Sequence, residues 1–460
     1  MKWRRNEEWV SVLSRALAKG TARLWPAVGV AALLLCLGSA AHAAGLSPVE
    51  QKVVKAAKAE TPRAIELLET LVNINSGSLN LEGVKQVADV MRAQLEPLGF
   101  DVQWIPMTEV GRAGHIVARH PGKSAGSGAN KSKGKRVLLI GHMDTVFEKS
   151  SPFQKYVRKG DIAEGPGTND MKDGLSIMVS ALRAMKTAGT LASAHITIVL
   201  SGDEELPGKP ISIARRDMRA AADQSDVALE FESLTQDGGK DMGTTARRGF
   251  TSWRLTTTAK SGHSSGIFSD SAGDGAIYEM ARILDSFRRE AGETNATFNV
   301  GLIAGGATAK VAGDSASASG KSNIIAATAV ATGDLRTLSI EQTRRVEEKM
   351  RAIVAKPLKQ ANAEITFEDE YPAMAPTEGN RRILAALNEV NRDLGLPQMG
   401  ELDPLKRGAG DIAFVADKVD ALVGFGAVGQ GSHAPGETVD LTSFERQIER
   451  AALLIGRLSR

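Results

Sequence analysis

Two short apolar runs constrain this chain most. Arg136-Val-Leu-Leu-Ile140 and Ala194-His-Ile-Thr-Ile-Val-Leu200 flank a helical stretch near Leu175–Ala188. Strand, helix, strand in that order predicts a buried parallel sheet with helices on both faces. Each run leads at once into a polar segment, and open parallel sheets build their sites at the carboxyl ends of strands. The chemistry of the chain is therefore expected just after these runs.

The rest of the sequence is organised around that core. Pro48 to about Leu98 reads as helical, with apolar positions at helical spacing in Ala64–Val72 and Val87–Leu95. Phe100–Trp104 and His115–Ala118 read as short strands, and the Gly-, Ser- and Lys-rich Pro121–Lys135 as a flexible surface loop. The pattern changes near Gly249. Strand Thr251–Thr258, helix Ala276–Glu290, strands Thr297–Ile303 and Ile324–Leu335, helix Ile340–Ala355 and strand Ala363–Glu368 give a β-α-β-β-α-β order, that of a ferredoxin-like sandwich. A low-complexity stretch, Ala304–Ser322, lies between its middle strands. From Asn380 the α/β pattern returns, through strand Ala421–Phe425 to helix Leu441–Leu458. The expected fold is α/β: a mostly parallel catalytic sheet (44–248 and 369–460) interrupted by a small α+β domain (249–368).

The formal charge of +3 is biased by the first 43 residues. These hold six basic side chains and two acidic ones, so removing their +4 leaves −1. Nothing there predicts a nucleic-acid partner. The basic stretch precedes an apolar run, Ala27–Leu37, and Ala41-His42-Ala43 fits a small-x-small cleavage site. The run is short for a membrane span. The expectation is an export signal (1–43), a periplasmic or secreted mature chain, and no membrane attachment after cleavage. The single cysteine, Cys36, lies inside that segment. A mature chain without cysteine has neither disulfides nor a thiol nucleophile, so catalysis falls to carboxylates, imidazoles, hydroxyls or metal.

Five segments carry such groups. Gly141-His142-Met-Asp144 follows the first apolar run; in extended backbone His142 and Asp144 point the same way, as a metal ligand and the group orienting it would. Gly165-Pro-Gly-Thr-Asn-Asp170-Met-Lys-Asp-Gly174 brackets an acid with glycines just before a helix, and Asp170 could equally be a helix N-cap. Ser201-Gly-Asp-Glu204-Glu205 follows the second run; one glutamate can bind metal while its neighbour stays free as a base, or both can belong to an exposed acidic turn. In Asp226-Val-Ala-Leu-Glu230-Phe-Glu232, spacing alone does not choose between Glu230 and Glu232. Gly429-Gln-Gly-Ser-His433 adds a loop imidazole, a residue type more often merely solvated. Taken together, imidazoles and carboxylates suit zinc or another borderline divalent ion. Two histidines with one bridging and two terminal carboxylates would hold a pair of ions.

The motifs GHMDTVF, GPGTNDMKDG, SGDEE, LEFES, SGHSSG, SNII, DLR and GSHAPGE fall in the order and spacing of the M20 metallopeptidases. The chain most resembles the glutamate carboxypeptidases among them, from Pro48 to its C-terminus. The resemblance implies two zinc ions per chain, with His142 on one, His433 on the other, Asp170 bridging, and Glu205 and Glu232 as terminal ligands. It implies Glu204 as general base and Asp144 as the group orienting His142. It also implies that His263, in the inserted domain, stabilises the transition state from across a homodimer, and that Asn323 and Arg336 hold the substrate, Arg336 by its carboxylate. The glycine-rich loop around Gly410 would line the substrate pocket. The substrate implied is a peptide or N-acyl amino acid; an N-acyl-amino-acid amidohydrolase or dipeptidase is the second reading. Ala326 replaces a frequent proline, Gly410 a frequent Thr or Ser, and Pro121–Lys135 resembles an insertion.

Overall fold

The computed structural model describes residues 45–122 and 134–460. The expected export segment and the centre of the Pro121–Lys135 stretch lie outside the described residues. Along the chain, strands β1 (Asp101–Pro106), β2 (Gly114–His120), β3 (Val137–His142), β4 (Ile196–Ser201) and β5 (Val227–Glu230) come first. They are followed by β6 (Phe250–Ala259), β7 (Thr297–Gly306), β8 (Thr328–Arg336), β9 (Ala361–Tyr371) and β10 (Asp420–Val423). The principal helices are α1 (Pro48–Val72), α2 (Leu81–Leu95), α3 (Lys172–Ala188), α4 (Ala276–Ser286), α5 (Ile340–Val354), α6 (Glu378–Leu394) and α7 (Phe444–Leu458).

The central sheet has the order β1-β2-β4-β3-β5-β10. Pairing from β4 to β10 is parallel, and only β2 runs against its neighbours. Alternation along β3 explains why both faces are covered. Val137 and Leu139 enter the core beneath α1, α3 and α7, while Leu138 and Ile140 face a second core with Met218, Ile412 and Val415. Each such fully buried aliphatic side chain contributes about 1.5–3 kcal/mol. The register sets β3 residue His142 beside Ser201 of β4, and Ile140 beside Glu230 of β5. Three polar segments thus leave the sheet side by side at its carboxyl edge.

The long N-terminal helical region is two helices. Ser47 and Glu50 close a capping box on α1, and Asn80 caps α2 by accepting the Gly83 N–H. The break between them places Ser78 next to the site. No helix among the described residues is long and apolar enough to cross a membrane.

Strands β6–β9 form an antiparallel sheet of order β7-β8-β6-β9. Trp253 and Leu255 of β6 pack on Met280, Ile283, Val346 and Met350 of α4 and α5. This is the β-α-β-β-α-β sandwich the periodicity predicts. Several boundaries differ: β7 runs on to Gly306, β8 begins only at Thr328, β9 extends to Tyr371, and α4 ends at Ser286. The low-complexity connection contains an ordered hairpin, Thr308–Ala312 against Ser315–Ser319. Backbone groups supply its ladder, so small side chains suffice, and Gly313 (φ +57°) supplies the turn.

Candidate metal centre

His142, the last residue of β3, is buried, and two residues fix its ring. Nδ1 faces the Asp144 carbonyl at 3.1 Å and its carboxylate at 3.5 Å; Nε2 lies 3.1 Å from Asp170 Oδ1. His433 approaches from the other side, with Nε2 3.1 Å from Asp170 Oδ2 and 3.0 Å from Glu205 Oε2. Asp170 therefore sits between two imidazoles, one on each oxygen. It is not a helix cap: α3 starts at Lys172, and its N-terminal flanking residue is Met171.

Three overlapping groups have ligand atoms within 4.8 Å of one another: His142, Asp170 and Glu232; His142, Glu204 and Glu205; and Asp170, Glu205 and His433. The first and third share Asp170, as a bridging ligand would be shared. Glu205 is not an exposed turn residue, since its side chain is 4% accessible. His433 is more open, at 59%, and its backbone is left-handed (φ +67°).

The structure separates Glu232 from Glu230. Glu230 accepts the Ile412 N–H at 2.7 Å and pairs with Arg247 at 2.7 Å, and it belongs to none of the three groups. Glu232 is the one that groups with His142 and Asp170.

The electrostatics fit a cation pair. Burial first, and then the neighbouring Glu205, Asp411 and Glu232 charges, push the Glu204 carboxyl well above the ordinary range, against the pull of His142. Burial and Asp170 push Glu205 up to about 7, although His433 lowers it. Asp170 goes the other way: burial raises it, but bonds to His142 and His433 outweigh that and hold it low. Hydrogen bonds to Asp170 and Glu205 raise His433 to about 11. Such a cluster of acids repels itself, and divalent cations would relieve it. Two imidazoles with carboxylate oxygens and no thiolate match zinc or a similar ion.

Supporting residues brace the cluster from behind. Asp144 does more than face His142: its Oδ1 accepts the Glu204 N–H at 3.0 Å, and its Oδ2 accepts the Glu205 N–H at 3.1 Å and the Ser78 hydroxyl at 2.6 Å. Glu437 accepts backbone N–H groups of Asn169 and Asp170 at 2.7 and 3.0 Å. Buried Arg215 joins Asp203 (2.6 Å) to Asp411 (2.7 Å) beneath the glutamate pair, and Asp411 also takes the Ser201 hydroxyl. Tyr371 donates its hydroxyl to the Glu204 carbonyl. Asp144, Ser201, Asp203 and Glu437 lie in the quoted GHMDTVF, SGDEE and GSHAPGE motifs; no local signal marks Ser78, Arg215 or Tyr371, whose partners lie elsewhere in the sequence.

The remaining candidates stand outside the cluster. His263 is exposed, with Nδ1 held by Ser265. Asn323 lies beside that turn and accepts the Ser264 N–H through its carbonyl at 3.0 Å. Arg336 gives its Nε to Asp334 at 2.8 Å and stacks 4.4 Å from the Phe250 ring centroid. Gly410 lies against the Arg247 guanidinium: a Cβ there would come within 2.0 Å of Arg247 Nη1. That contact explains why a Thr or Ser is missing at this position.

This fold and this cluster define a peptidase class. The sequence signature of peptidase family M20/M25/M40 matches residues 138–457, and the chain belongs to that family. It is an M20-type metallopeptidase. Carboxypeptidase G2 from a Pseudomonas strain is 29% identical over 420 residues, covering 87% of this chain and 90% of that protein. A tripeptidase from Staphylococcus aureus superposes with a TM-score of 0.65 at 17% identity, covering 87% of this chain and 99% of that one. A dinuclear metal-binding M20 peptidase from Bacillus subtilis superposes at 0.59 with 15% identity, covering 87% and 99%. The two structural likenesses speak to the fold.

Proposed function

We propose that the chain is an exported di-zinc carboxypeptidase that removes a C-terminal amino acid, glutamate by preference, from peptides or N-acyl amino acids. The observation that carries this is Asp170, with an imidazole on each carboxylate oxygen, beside a glutamate whose own carboxylate has no partner. Among the described residues, the Glu204 carboxylate takes no hydrogen bond or ion pair, although its backbone is held at both ends by Asp144 and Tyr371.

His142, Asp170 and Glu232 would hold one ion, and Asp170, Glu205 and His433 the other. Bound there, the ions supply an acidified water and a polarised carbonyl. Glu204 would act as the base that takes a proton from water as its oxygen bonds to the amide carbonyl carbon, and would return that proton to the amine nitrogen as the C–N bond breaks, help worth roughly 10²–10⁴-fold. Arg336 suits a free carboxylate. Asp334 occupies its Nε, and its two terminal nitrogens have no partner among the described residues, leaving the planar fork open. His263 is exposed and apart from the cluster, which supports a homodimer in which this residue reaches the other subunit's site. The likeness to carboxypeptidase G2 supports the C-terminal preference.

The test is a panel of peptides, N-acyl glutamates and other N-acyl amino acids on metal-loaded protein, with Glu204→Gln alongside. The expected result is C-terminal release, fastest for glutamate, abolished in the variant while it keeps two ions per chain. Full turnover by Glu204→Gln would refute its role. Release only from dipeptides, or only from non-glutamate acyl amino acids, would favour the second reading.

A further inference from the structure

Glu232 is gripped by two arginines, and one of them lies on a crossing between the two sheets. The chain crosses from the central sheet to the inserted domain through residues 244–249 and returns through 372–375. Arg247 on the first crossing exchanges backbone hydrogen bonds with Met374 on the second, both at 3.0 Å. Its side chain turns inward and is buried. Nη1 lies 2.7 Å from Glu230 Oε2 and 3.1 Å from Glu232 Oε1. Nε donates to the Gly408 carbonyl at 2.7 Å, and Nη2 to that of Ala409. Arg407 holds the other oxygen, Nη2 lying 2.8 Å from Glu232 Oε2, while its Nη1 reaches the hydroxyls of Ser233 and Thr235.

A carboxylate has about four lone-pair sites, so each Glu232 oxygen keeps one free while a guanidinium occupies another. The grip therefore orients Glu232 without blocking it. Carboxylates that bind metals are commonly hydrogen-bonded from behind, and losing that support costs roughly 10- to 100-fold in affinity. Only Arg offers a planar fork that can bond Glu230, Glu232 and two carbonyls together. The glycine at 410 leaves room for it.

We propose that Arg247 is a positioning residue that presents Glu232 to the ion shared by His142 and Asp170, so that this ion depends on Arg247 and the ion at His433 does not. The inference rests on the two-ion reading above. It predicts an asymmetry that a general structural role would not produce: one of two ions weakened, the other untouched.

Zinc titration of the full chain against a competing chelator tests it, with thermal melting as the control for folding. Wild type should bind two equivalents; fewer would sink the two-ion reading itself. Arg247→Met should weaken one equivalent by about 10- to 100-fold and leave the other unchanged, with partial recovery in Arg247→Lys. Arg407→Met should act on the same equivalent. If Arg247→Met fails to fold because Glu230 is left unpaired, the Glu230→Gln, Arg247→Met pair removes that charge and is titrated instead. Two equivalents of wild-type affinity in these variants, or equal weakening of both, would overturn the proposal while leaving the two-ion reading in place.

Discussion

The Glu437 carboxylate accepts the backbone N–H of Asp170 at 3.0 Å, four residues beyond one candidate ligand and directly beneath another. With its bonds from Asn169 and Gly167, it fixes the loop that carries the bridging acid. Burial pushes this carboxyl up to about 7, so three backbone donors support a group that is costly to ionise there. Glu437→Gln keeps the shape but turns an amide NH₂ toward N–H donors. The expected loss is about 1–3 kcal/mol of stability, together with weaker metal binding, read by urea denaturation and metal analysis of the same preparation.

Arg215 is buried between Asp203 and Asp411 and stacks 5.3 Å from the Phe414 ring centroid. Removing the cation leaves two buried acids beneath the glutamate pair. Arg215→Met should cost about 3–5 kcal/mol. A melting temperature equal to wild type would show that solvent or another group compensates.

Gly410 has extended backbone (φ −179°), so no torsional strain demands a glycine there. The demand is steric and comes from the Arg247 guanidinium. Gly410→Ala should displace that side chain and lower activity and stability together, as overpacked sites do by about 1–3 kcal/mol. Pairing it with Arg247→Ala should cost less than the sum of the two single changes, as a double-mutant cycle would measure.

Glu50 links α1 to the C-terminal helix through Arg457 at 3.0 Å. Burial raises its carboxyl, but bonds from Ser47 and Arg457 outweigh this and bring it from 4.5 down to about 2. A value lowered by folding adds stability that is complete above pH 4.5 and disappears as the pH falls toward 2. Glu50→Gln should therefore cost about 1 kcal/mol at neutral pH, the size of a helix cap. Denaturation curves of the two proteins should converge near pH 2.

The sequence by itself determined the classes of element and the segments that carry imidazoles and carboxylates. Short apolar runs could only be buried strands, and period and turn chemistry are local properties. The segments that carry His142, Asp170, Glu204, Glu205 and His433 stand out because glycines and strand ends frame them, whereas the role of each residue is what the resemblance to the M20 metallopeptidases implies. Other features depended on the tertiary structure. Spacing could not decide between Glu230 and Glu232; Arg247 bonds both, but the Ile412 N–H, brought in from elsewhere in the chain, takes Glu230, and only Glu232 comes within reach of His142 and Asp170. Arg215 and Arg247 carry no local signature, because what defines them is a partner elsewhere in the sequence. Burial decides the rest: the same carboxylate is an ordinary acid in water and a raised, repelled one beside Glu205, and only folding brings those charges together.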